Sequence, residues 1–154
     1  MKLQRICTLI LALGLQACAT FSMQTPTGFA RANTASNAYD YRAVSAYGVA
    51  MGIRSVRNEQ QAPIEFWSEV IDRRLTRSGH YRTAGSLEVR TLRGATGRTL
   101  KYTMGDGQNG GASYWVTLFV TRDWVHVVEA GGTTEAFTRA QAEVERAIRT
   151  FDGV

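Results

Sequence analysis

Two lysines, two histidines and two cysteines are all that the 154 residues contain, and each scarcity closes off a class of chemistry. Both cysteines, Cys7 and Cys18, sit near the N-terminus, so the rest of the chain has neither a disulfide framework nor a thiolate metal site. His80 follows Gly79 in a loop pattern, and His126 lies inside an apolar strand pattern. A zinc site using both would need carboxylates at unrelated spacing. Lys101 is the sole lysine beyond Lys2, and no G-K-[ST] occurs, which excludes a P-loop. No serine has the G-x-S-x-G context of a nucleophile elbow. Basic residues never run longer than the pair Arg73–Arg74. The formal charge is +5; without Lys2 and Arg5 the balance is 16 basic residues against 13 acidic, or +3. Nucleic-acid binding calls for a clustered basic stripe, so no nucleic-acid partner is expected.

What is present is an ordinary globular composition, 44% hydrophobic and 20% charged, on a chain long enough for one core. It is preceded by MKLQRICTLILALGLQACAT, which has the three parts of a bacterial export signal. Lys2 and Arg5 give a positive start, and Ile6 to Leu15 form an uncharged stretch too short to cross a bilayer about 30 Å thick. Leu15-Gln16-Ala17-Cys18 then resembles the lipobox of bacterial lipoproteins. The resemblance implies cleavage between Ala17 and Cys18 and a diacylglycerol on the Cys18 sulfur. An odd cysteine in an exported chain calls for such an explanation. The alternative is an ordinary secretory signal with an incidental cysteine. An aspartate after the cysteine would, by resemblance to enteric lipoproteins, favour the inner membrane; Ala19 therefore implies the outer membrane, facing the periplasm.

The expected organisation is a signal peptide over 1–17, a lipidated tether over 18–28 and a single domain over 29–154. The tether contains Ser, Thr, Pro and Gly without periodicity; fully extended, about ten such residues reach roughly 35 Å. YDYRAVSAYGVAMGIRSV reads as two strands turning near Tyr47-Gly48, with Val49, Met51 and Ile53 on one face. APIEFWSEVIDRRLTRSG reads as a helix with Pro63 in its first turn, a stop at Gly79 and a stripe of Ile64, Trp67, Val70, Ile71 and Leu75. SLEVRTL and RTLKYTM flank a hairpin signal at Gly94 to Gly97. SYWVTLFV is apolar on both faces, which places it inside a sheet covered on both sides. WVHVVEA follows after a short turn. A last helix, from about Thr134 to Phe151, buries Phe137, Ala140, Val144, Ala147, Ile148 and Phe151. Thr133 or Thr134 caps it, and Glu135–Arg139 and Glu145–Arg149 are paired on its outside.

Between two of these strands, Gly105, Gly107 and Gly110 spell G-x-G-x-x-G. A dinucleotide site needs a helix N-terminus right after the glycines to hold the pyrophosphate, whereas GASYWVTLFV is a strand. The segment is a glycine-rich hairpin loop, and no cofactor is expected. Asp106 and Asn109 have too few acidic residues after them for a calcium loop. Trp67, Trp115 and Trp124 are candidates for a ligand pocket or partner surface, against the plainer reading of core packing. A buried polar cluster around His126, Glu129 or Asp123 in a deep cleft would point to catalysis.

The order of elements resembles the PsbP-like fold shared with DcrB-type bacterial lipoproteins. The likeness spans roughly residues 28–152 and rests on YGVAMGI, FWSEVIDRRL and VHVVEAGGTTEAFTRAQAEVERAIRTF. It implies an α+β domain, an antiparallel sheet with helices packed on its faces, and an accessory or binding role with no catalytic residue to transfer. The expected function is a non-enzymatic, membrane-anchored lipoprotein that supports an envelope protein complex. The alternative is a binding module for a small apolar or lipid ligand between helix and sheet.

Overall fold

The computed structural model describes residues 21–33, 38–105 and 110–153. Seven strands and two helices follow the order β1 (Phe29–Arg31), β2 (Tyr41–Ser45), β3 (Ala50–Arg57), α1 (Ile64–Arg77), β4 (Tyr81–Arg90), β5 (Thr96–Met104), β6 (Ala112–Val120), β7 (Trp124–Thr133) and α2 (Thr134–Arg149). The strands form one antiparallel sheet in the order β1-β2-β3-β7-β6-β5-β4. β3 therefore pairs with β7, and α1 carries the chain from β3 to the far edge, where β4 to β7 return as a meander.

Local chemistry explains the turns and caps. Gly48 has φ +83 in the β2–β3 turn, a left-handed conformation that favours glycine. Thr133 caps α2 by accepting from the Ala136 N–H at 3.3 Å. Before α1, buried Asn58 does the work of a cap from outside the helix. Its Nδ2 donates to the carbonyls of Ala62 and Thr121, and its Oδ1 accepts from the Ala62 N–H and from Trp67 Nε1.

Alternation along β6 sends side chains into two cores. Trp115 and Phe119 join Met51, Ile53, Val128 and Ala130 beneath Phe137, Val144, Ile148 and Phe151 on one face. Val116 and Leu118 join Leu100, Tyr102 and Val125 beneath Ile64, Trp67, Ile71 and Leu75 on the other. Burial of each large side chain on α2 stabilises by about 1.5–3 kcal/mol. The α1 stripe differs from expectation in one member: Val70 is 40% exposed, whereas Ser68 is buried and donates to the Ile64 carbonyl at 2.7 Å. At 100° per residue, position 68 continues the 64–71–75 face and position 70 falls on its flank.

Three further differences have physical causes. β4 begins at Tyr81 rather than near Ser86, because backbone pairing with β5 extends through a bulge between Thr83 and Gly85. Glu145 accepts from Gln141 at 3.0 Å in place of the expected Arg149 pairing, while Glu135–Arg139 and Glu69–Arg73 are paired. Residues 21–28, expected as tether, are packed against the domain. Ser22 and Asp152 exchange two backbone hydrogen bonds of 2.8 and 2.9 Å, Phe21 stacks on Phe151, and Met23 packs against the α2-side core. Tyr41 donates to Thr25 Oγ1 at 3.0 Å.

Candidate functional site

The helices divide the sheet unequally. On its face, α1 lies chiefly over β4, β5 and β6, with Val125 and Val127 at the start of β7 in the same core, so the rest of β7 and the same face of β3 and β2 lie largely outside its cover. Alternation along β7 puts Val125, Val127 and Glu129 on this face. Glu129 thus lands where helical cover stops, and it is nevertheless only 7% exposed.

Its burial comes from three side chains. Arg54 on β3 donates to Glu129 Oε1 at 2.6 Å, and the Tyr114 hydroxyl on β6 donates to the same oxygen. Tyr39 lies flat over Gly52, where an added Cβ would meet its ring at 2.6 Å. The Arg54 guanidinium sits 5.2 Å from the Tyr39 ring centroid. Burial, reinforced by the hydrogen bond to Glu129 and its negative charge, pushes the Tyr114 hydroxyl well above its ordinary pKa; burial and Glu129 push Tyr39 up as well. Glu129 Oε2 has no hydrogen-bond partner among the described residues. A buried acceptor left open in this way carries a desolvation cost. Tyr39, Arg42, Gly52, Tyr114, Glu129 and Gly131 line a cavity of about 160 Å³ beside it. Exposed Arg42 at the rim complements the carboxylate. The cavity presents a carboxylate, two phenols and the exposed Arg42.

A second depression lies on the opposite face. α2 covers β6 and β7 and leaves a groove beside edge strand β4, about 380 Å³ in volume and lined by Leu87, Val89, Thr99, Trp115 and Ile148. Glu88, Arg90, Glu145 and Arg149 rim it. Trp115 forms part of its lining, tilted against Phe137 at 5.0 Å, with Lys101 Nζ 3.9 Å from its ring centroid.

The structure does not bring the three tryptophans together. Trp67 packs on the α1 side, and Trp115 on the α2 side opposite Ala130. Trp124 begins β7, six residues from Ala130, beneath the Arg57 guanidinium. His126, Glu129 and Asp123 are separated too. His126 points away from Glu129, its Nδ1 2.9 Å from Ser55 Oγ, enclosed by Phe21 and Phe151; Asp123 is in the β6–β7 turn, its carbonyl accepting from the Asn58 N–H. His80 is exposed between α1 and β4. Ala17, Cys18, Asp106, Gly107 and Asn109 lie outside the described residues. Gly105 and Gly110 adopt φ +85 and +81 in a β5–β6 connection that leads into β6, as a hairpin loop requires. Glu129 is one of the three residues around which, on sequence, a buried polar cluster would matter, and the structure places such a cluster there. Its partners Tyr39, Arg54 and Tyr114 carry no such signal in the sequence, because strand pairing alone brings them to Glu129.

The chain matches no family model and no curated protein sequence. Among solved structures, the solution structure of cyanobacterial PsbP (CyanoP) from Synechocystis sp. PCC 6803 aligns with a TM-score of 0.56. It covers 94% of this chain and 99% of that protein, at 10% identity. The fold is PsbP-like. A mutant of protein Mog1 aligns with a TM-score of 0.51, over 87% of this chain and 90% of its own, at 14% identity. At these identities the PsbP-like likeness is one of architecture, and function has to be argued from the site.

Proposed function

We propose that this protein is a non-enzymatic accessory lipoprotein of the bacterial envelope, anchored through Cys18 in the outer membrane facing the periplasm, and that it works by contact with a partner protein. The observation that supports this reading is the uncovered half-face around Glu129. A prepaired charge cluster beside an exposed arginine suits polar recognition by a partner surface. A photo-crosslinking residue at Arg42, compared in intact cells with one at Arg73 on the outside of α1, tests it. One partner captured at Arg42, absent at Arg73 and lost in Cys18→Ser, is the expected result. Equal capture at both positions, or none at Arg42, counts against the reading.

The Trp115 groove favours a second reading, a small apolar or lipid ligand held between α2 and the sheet. Envelope lipid extract should then change tryptophan emission in the wild type but not in Trp115→Phe. A response that survives this substitution sinks the groove as the binding site.

A further inference from the structure

The packing of residues 21–28 shortens the tether. From Cys18 to Phe21 is three residues, a reach of roughly 10 Å at full extension, in place of the 35 Å that a free segment would allow. Phe21 itself is held: it stacks on Phe151 at 6.0 Å, and a Cβ on Gly153 would lie 2.9 Å from the Phe21 Cβ. The Ser22–Asp152 hydrogen-bond pair fixes the next residue.

Strand register shows what shares this end of the sheet. Arg57 pairs with Trp124, Val120 with Val125, and Arg90 with Thr96, so the β3–α1, β6–β7 and β4–β5 connections all gather here with the last turn of α2. The β4–β5 turn is tied directly to the N-terminal segment. The Leu92 N–H donates to the Arg149 carbonyl at 2.7 Å, Arg93 pairs with Asp152 at 3.0 Å, and Leu92 and Arg93 share a hollow with Ser22, Met23 and Gln24. Leu92 is 70% exposed, although it is a large apolar side chain at a turn tip. Half-buried Trp124 stands at the same end.

We propose that this end of the domain rests on the bilayer that holds the Cys18 lipid, with Leu92 inserted among the acyl chains and Trp124 at the headgroup level. The inference rests on the lipidation reading. Exposed apolar side chains beside an anchor supply the second membrane signal that a lipid chain benefits from, and tryptophan favours the interfacial zone. Arg57, Arg90, Arg93, Arg122 and Arg149 share this end with Asp40, Glu59, Asp123 and Asp152, a near balance of charge. The contact is therefore set by the short tether and by Leu92, rather than by net charge. The opposite end, with exposed Tyr47 and the β5–β6 loop, then points away from the membrane.

The lipidated protein, purified from membranes, offers a direct test, since its acylated Cys18 leaves an introduced cysteine as the only free thiol. Leu92→Cys and Tyr47→Cys would each be labelled with an environment-sensitive fluorophore and reconstituted in phosphatidylethanolamine–phosphatidylglycerol vesicles carrying nitroxide lipid. Quenching several-fold stronger at position 92 than at 47 is expected, and a flexible insertion of Gly and Ser between Cys18 and Phe21 should weaken it. Equal quenching at the two positions in a protein of lipidated mass overturns the placement alone. A mass without the lipid overturns the anchor, and this inference with it.

Discussion

Glu129, His126 and two glycines show how much single residues settle in this chain. Gly97 has no room for a side chain: a Cβ would meet the Phe119 ring at 2.6 Å and the Leu118 carbonyl oxygen at 2.7 Å. Gly52 is equally close to Tyr39, but that ring is half-exposed and free to move outward. Gly97→Ala should therefore cost about 1–3 kcal/mol by overpacking, and Gly52→Ala clearly less, as chemical denaturation of the two variants would establish. Titration gives a second residue-scale expectation. Burial pushes the His126 imidazole below its ordinary 6.5. The unfolded chain then binds a proton near 6.5 that the folded one refuses, so stability is full above that pH and falls as pH drops below it. Tyr102 and Tyr114 are shifted upward from 10.0, chiefly by burial. Their contribution is full below pH 10 and is lost as alkali ionises the unfolded chain first. Denaturation midpoints across pH should show both limbs. His126→Gln should flatten the acid limb, and Tyr114→Phe should reduce the alkaline one.

At the scale of elements, the two helices differ in how they start and what they cover. α2 has the Thr133 side-chain cap, and Thr133→Ala should lower stability by about 1 kcal/mol. The α1 start relies on Asn58, a residue outside the helix whose bonds also reach β6 through Thr121. Within α1, Ile71→Ala should cost about 2 kcal/mol, at the low end for a large aliphatic because Ile71 is only half-buried. Val70→Ala should be near neutral, since that side chain faces outward. Equal losses at 70 and 71 would contradict the orientation of α1. Period-two and period-3.6 patterns made β2, β3, β6, β7 and both helices legible beforehand. The start of β4 and the three-residue β1 were not legible, because hydrogen bonding to a neighbouring strand, not side-chain pattern, defines them.

For the whole molecule, the N-terminal segment and the α2 C-terminus close the same end of the core. A chain beginning at Gly28 should lose several kcal/mol and unfold at lower temperature than one beginning at Phe21, because Phe151 and His126 lose Phe21 and the core loses Met23. A free tether would predict equal melting temperatures. Among the described residues, no helix is long and apolar enough to cross a membrane.

Periodicity and turn residues, which are local, determined the element types, the two-faced burial of β6 and the reading of the glycine segment as a loop before a strand. They also placed Glu129 within a strand, as one of three candidate centres for a polar cluster. Only the tertiary structure decided which residues would meet it. The pairing of β3 with β7 brings together positions 54 and 129, which lie 75 residues apart in sequence, and nothing local encodes such a distance. The same holds for Phe21 and Phe151, where a segment without periodicity is ordered by aromatic contacts and a two-bond backbone pairing made at the other end of the sequence.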